Sequence, residues 1–132
     1  MTLERVWRVL AVLIPTFLAP AAGNAADEAN AAWMAEHYTK FEHRIPMRDG
    51  IRLFTRVYLP KDDSQPWPIL LTRTPYGLKP YGPDNYTDPS GSFEHFARDR
   101  FILVTQDVRG RYASEGEFVH VRPFNPAKSG KE

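Results

Sequence analysis

Two short apolar runs, "PILLTR" (68–73) and "FILVTQD" (101–107), constrain the fold of this chain more than any other feature in it. Neither run alternates between apolar and polar residues. A continuous apolar run of this length, bounded by turn residues, reads as a strand buried on both faces, and strands of that kind belong to parallel sheets covered by helices. Between the runs lies "GLKPYGPDNYTDPSG" (77–91), a Gly/Pro/Asn/Asp loop long enough to be either functional or disordered. "FEHFARD" (93–99) follows it, with Ser92 placed as a helix cap and Glu94 in the first turn. Strand, loop, helix and strand in that order form the crossover that a parallel pair requires.

Upstream, the pattern changes to period two. Phe41, His43, Ile45 and Met47 alternate with Glu42, Arg44 and Pro46; after Asp49-Gly50, Ile51, Leu53, Thr55, Val57 and Leu59 alternate with Arg52, Phe54, Arg56 and Tyr58. Alternation on both sides of Asp-Gly predicts a β-hairpin. Pro46, which cannot donate to a ladder, sends its strand to an edge, and His43 reads as a strand-face residue. "ADEANAAWMAEHY" (26–38) admits a short helix or a frayed lead-in, and a place at a new N-terminus favours mobility. The fold class expected is α/β: an antiparallel hairpin leading into a parallel sheet, as the N-terminal part of an incomplete domain.

Residues 1–25 differ in kind. Arg5 and Arg8 precede the apolar stretch "VLAVLIPTFLAP" (9–20), and small residues stand at Gly23 and Ala25. That order is the order of a secretory signal peptide cleaved after Ala25. A membrane span needs about 20 apolar residues; this run is shorter and holds Pro15 and Pro20. The expected location is therefore secreted or periplasmic, with no stable membrane anchor. With Lys+Arg 17 against Asp+Glu 16, the chain offers no electrostatic footprint for nucleic acid. The absence of cysteine excludes disulfides, thiol nucleophiles and cysteine zinc sites. His37, His43, His95 and His120 lack helical ligand spacing, so neither a metal nor another cofactor is expected.

Several candidate catalytic groups fail on inspection. Ser114 in "GRYASEGE" has Tyr112 where a G-x-S-x-G elbow needs glycine. "NPAKSGKE" (125–132) resembles a phosphate loop, but Asn125 and Glu132 occupy its required Gly and Ser/Thr positions. Asp107, at the end of an apolar run, reads as a turn cap or as a partner of Arg109 or Arg111. Tyr76 remains. It stands in Pro75-Tyr76-Gly77, just past a strand's carboxyl end, where open α/β sheets bind ligands. A phenol there can donate to a developing oxyanion; it can equally be a turn aromatic that packs its ring and wets its hydroxyl.

Three blocks carry a resemblance. "PMRDGIRLFTRVYLP" (46–60), "PILLTRTPYG" (68–77) and "FILVTQDVRGRYASEGEF" (101–118) are similar, in order and spacing, to the start of the Xaa-Pro dipeptidyl-peptidase-like, cocaine esterase-like serine hydrolases. The resemblance implies an α/β-hydrolase domain over 38–132, after a signal peptide (1–25) and a lead-in (26–37). It implies a Ser-His-Asp triad, a helical cap, a C-terminal jelly-roll domain and a small-molecule or peptide acyl substrate. Tyr76 falls on the family's oxyanion-hole tyrosine, which acts with the backbone N–H of the residue after the nucleophile. "DVRGRYASEGEF" (107–118) falls on a loop that shapes the site. The family's nucleophile, acid and base come later than the last residue here, so the chain is expected to be an inactive N-terminal fragment holding none of the three. The competing reading is a small secreted β-rich binding module that presents Tyr76, Tyr81 and Tyr86 as a recognition loop. Acyl group, leaving group and oligomeric state stay open.

Overall fold

The computed structural model describes residues 25–87, 89, 92–121, 124 and 126. Apart from Ala25 and Pro126, the expected signal peptide and the phosphate-loop-like tail lie outside the described residues. The elements run α1 (Ala25–His37), β1 (Tyr38–Pro46), β2 (Arg52–Pro60), β3 (Ile69–Thr74), α2 (Ser92–Arg98) and β4 (Ile102–Asp107). The strands form one sheet in the order β1-β2-β4-β3.

The hairpin forms where alternation placed it. β1 and β2 pair antiparallel from Tyr38↔Pro60 to Pro46↔Arg52. Their turn is closed by the Met47 N–H on the Ile51 carbonyl (2.8 Å) and the Gly50 N–H on the Met47 carbonyl (2.9 Å). Gly50 takes φ +83°, a left-handed conformation that costs glycine least. Pro46 lies on an edge strand, as its missing N–H demands. β2 pairs antiparallel with β4. β3 and β4 pair parallel from Ile69↔Ile102 to Thr74↔Asp107, with α2 in the crossover. The carboxyl ends of the two parallel strands therefore lie side by side.

One face of this sheet is covered. Met34 of α1 and Ala97 of α2 pack with Tyr38, Tyr58 and Leu103 from the strands, and Trp33, Leu70, Tyr86, Phe93 and Phe101 surround them. The Tyr38 hydroxyl donates to the Ala97 carbonyl at 2.7 Å, which satisfies a buried phenol and ties β1 to α2. The segment that admitted either a helix or a frayed lead-in is thus helix α1, anchored by a fully buried Met34. Truncating that side chain removes about 2–5 kcal/mol of packing.

The opposite face is covered only in part, over Leu53, Thr55 and Gln106. Register places Phe41, Ile45, Leu59, Ile69 and Leu71 on one face, and all five are exposed. Ile69 is 66% and Leu71 53% exposed. "PILLTR", whose apolar run suits a strand covered on both faces, is covered on one face only by the described residues. β3 is an edge strand, and no described element packs over its outward face.

Candidate active site

β3 ends at Thr74, whose hydroxyl accepts the Tyr76 N–H at 3.1 Å. That local bond turns the chain away from the ladder. The Pro75 carbonyl accepts from Arg111 Nε at 3.2 Å, and the Arg111 guanidinium lies over the rings of Tyr112 (5.4 Å) and Phe118 (4.9 Å). Gly77 takes φ +89° against the Tyr112 ring; a β-carbon there would sit 2.9 Å from Tyr112 Cε1. Leu78 is held at both of its peptide groups. Its N–H donates to the Tyr81 hydroxyl at 3.3 Å, and its carbonyl accepts from Arg56 Nη1 at 2.9 Å. Tyr76 itself is 83% exposed, and its hydroxyl makes no hydrogen bond to a described residue. An untethered hydroxyl thus stands on a tethered turn, beyond the carboxyl end of a parallel strand.

The loop beyond this turn is gripped from the covered face of the sheet. The Lys40 side chain of β1 is fully buried, and its ammonium donates to the carbonyls of Pro80 (3.0 Å), Gly82 (2.7 Å) and Asn85 (2.7 Å). Glu42 balances the charge at 2.9 Å, and its carboxylate oxygens accept the Gly82 N–H at 2.9 and 3.0 Å. Burial pulls the Lys40 pKa below the usual lysine range, and Glu42 pulls it partly back. The Tyr86 hydroxyl accepts the Lys40 N–H and donates to the Tyr38 carbonyl, each at 3.2 Å.

Asp107 closes the far side. It ends β4 fully buried, and its Oδ2 accepts the Tyr81 O–H at 3.1 Å and the Ala113 N–H at 3.3 Å. Its Oδ1 has no hydrogen-bond partner among the described residues. Burial holds its carboxyl above the usual aspartate range. Asp107 therefore caps the following turn, as one half of the expectation had it, but it pairs with neither Arg109 nor Arg111. Gly110 takes φ +69° in that turn; Arg109 bonds Asp49 at 2.8 Å, and Arg111 reaches Pro75. Ser114 Oγ donates to the Asp107 carbonyl at 2.7 Å and accepts the Phe54 N–H at 2.8 Å. Its hydroxyl is committed to the scaffold, in keeping with the failed elbow motif.

A cavity of about 630 Å³ lies beside the carboxyl ends of β3 and β4, walled by Leu53, Arg73, Pro75, Gln106 and Phe118. Pro75 lines it and Tyr76 does not. Among the described residues, no group of three His, Asp or Glu side chains is placed to hold a metal ion, and no helix is long and apolar enough to cross a membrane. The sequence reading singled out Tyr76, named Tyr81 only as part of a recognition loop, and gave Lys40, Glu42 and Arg56 no role at the site. Lys40, Glu42 and Arg56 share the sheet face of Tyr38 and Tyr58, a parity that alternation alone does not turn inward.

A mixed sheet in the order β1-β2-β4-β3, with polar groups massed beyond its parallel strand ends where such sheets bind ligands, defines an α/β domain. The chain belongs to the X-Pro dipeptidyl-peptidase (S15) family, whose sequence model matches residues 49–131. It is 44% identical over 75 residues to a cocaine esterase of Rhodococcus sp. (strain MB1 Bresler), a match covering 57% of this chain and 12% of the esterase. Among solved structures it resembles an α-amino acid ester hydrolase at 32% identity and a TM-score of 0.55, covering 92% of this chain and 20% of that one. It also resembles an aminopeptidase of a marine sediment Thaumarchaeota archaeon at 31% identity and a TM-score of 0.54, covering 90% and 19%. The relatives are thus esterase and peptidase hydrolases, and this chain spans a fifth of their length or less.

Proposed function

We propose that these residues form part of a serine hydrolase that cleaves an ester or amide bond in a small-molecule or peptide acyl substrate, with Tyr76 as an oxyanion-hole donor. The observation that carries this reading is the free Tyr76 phenol on a turn held through Thr74, Arg111 and Tyr81. When a nucleophile adds to a carbonyl carbon, the π electrons move to oxygen. A prepositioned O–H stabilises that charge without reorganising. The nucleophile, its base and its acid are assigned to none of the residues here. The exposed apolar face of the sheet supports their supply by further polypeptide of the same domain.

The competing binding-module reading loses much of its surface, because Tyr81 and Tyr86 spend their hydroxyls on Asp107 and Tyr38. The test is Tyr76→Phe in the complete hydrolase, assayed on a simple aryl ester. We expect kcat to fall roughly 10²–10³-fold with KM and melting temperature nearly unchanged. An unchanged kcat would return Tyr76 to ring packing alone.

The same proposal includes export: residues 1–25 act as a signal peptide, and the mature chain starts at Ala26. Basic residues, a short apolar stretch and Gly23-x-Ala25 support it. N-terminal sequencing of exported protein decides it, and a retained Met1 would refute it.

A further inference from the structure

We propose that Tyr81 and Asp107 are positioning residues for Tyr76, joined to it through the peptide N–H of Leu78. The inference rests on the oxyanion reading of Tyr76. The Tyr81 hydroxyl gives its proton to Asp107 Oδ2 (3.1 Å) and receives the Leu78 N–H (3.3 Å). One oxygen thus connects the end of β4 to the backbone just after Tyr76. The Tyr81 ring is fixed as well, edge-on to the buried Phe54 ring at 5.1 Å and 71°. Asp107 in turn is held by the Ala113 N–H, and its own carbonyl accepts the Ser114 hydroxyl. Its other carboxylate oxygen is buried without a partner among the described residues, so none of them competes for the carboxyl's orientation. A charge-bearing acceptor with two donors on one oxygen and none on the other is an expensive arrangement for packing alone. It is reasonable for a group whose task is to aim one hydroxyl at one peptide.

The consequence is geometric. With the Tyr81 hydroxyl gone, the Leu78 N–H loses its partner, and the turn is held on that side only through the Leu78 carbonyl and Arg56. Tyr76 then samples directions away from the oxyanion, and misplacement of a catalytic group by about 1 Å costs up to roughly 10²-fold in rate.

The experiment is a double-mutant cycle in the complete hydrolase on an aryl ester, with kcat normalised to titrated active sites. Tyr81→Phe keeps the ring against Phe54 and removes only the oxygen. It should lower kcat roughly ten- to hundredfold with KM within about twofold. In the Tyr76→Phe background the same change should leave kcat where it was, because no hydroxyl remains to be aimed. A Tyr81→Phe loss of the same factor in both backgrounds overturns the proposal while leaving the oxyanion reading intact. An unchanged kcat in Tyr76→Phe alone overturns both. Asp107→Asn supplies a second route, since its amide oxygen still accepts the Tyr81 proton. It should keep kcat within about threefold, whereas Asp107→Leu should fall with Tyr81→Phe. Equal kcat in the Asn and Leu variants also overturns the proposal.

Discussion

The two faces of the sheet invert the usual distribution of residue types. The covered face holds Tyr38, Tyr58 and Leu103, and with them Lys40, Arg56, Thr105 and Asp107, all buried. The open face buries Leu53, Thr55 and Gln106 but shows Phe41, Ile45, Leu59, Ile69 and Leu71 to solvent. Charge is inside wherever it has a loop to hold. Lys40 and Glu42 grip residues 80–85, Arg56 grips Leu78, and Asp107 grips Tyr81. The apolar groups outside hold nothing described. Contiguous exposed apolar surface of this kind marks an interface or a core awaiting its cover. The covered face holds the turn that carries Tyr76; the open face leaves its apolar side chains without a described partner layer.

The largest effect should come from leaving the open face uncovered. Residues 26–132 expressed alone should show no aryl-ester turnover, no near-UV circular dichroism and an associated state in sedimentation, because open apolar faces and strand edges seek partners. A monodisperse, cooperatively melting monomer would break the contrast between the faces. In the complete hydrolase, Lys40→Met should cost about 3–5 kcal/mol in denaturant unfolding. The carbonyls of Pro80, Gly82 and Asn85 lose their donor inside the fold, and the half-buried Glu42 carboxylate loses its counter-charge. A loss under about 1 kcal/mol would reduce the Lys40 cluster to a surface pair. Leu71→Ala sharpens the comparison from the other side. With the open face covered it should cost about 2–4 kcal/mol. A change within about 0.5 kcal/mol would mean that Leu71 remains in solvent.

Strand positions were legible because period two and continuous apolar runs are local signals: Ile69–Thr74 and Ile102–Asp107 form within a residue of where they were placed. Which parity faces inward was not legible. Alternation separates Phe41 and Ile45 from Lys40 and Glu42, but it does not say which set meets α1 and α2. Tyr76 could be singled out because it adjoins a strand end in sequence. Its supports could not, since Lys40 binds backbone carbonyls and every residue has one. Asp107 was given the wrong arginines for a related reason. Nearness in sequence favoured Arg109 and Arg111, whereas the turn at Gly110 directs them to Asp49 and Pro75.

The Lys40 hub also bears on how this region can diverge between relatives. It recognises main-chain oxygens, so the identities of the loop side chains do not enter its bonds. Exposed Lys79, Pro83 and Asp84 are therefore free to drift, provided the backbone path is kept. The side chains at the loop tip can change while the Tyr76 turn stays fixed, because variation and anchorage are written in different atoms of the same peptide.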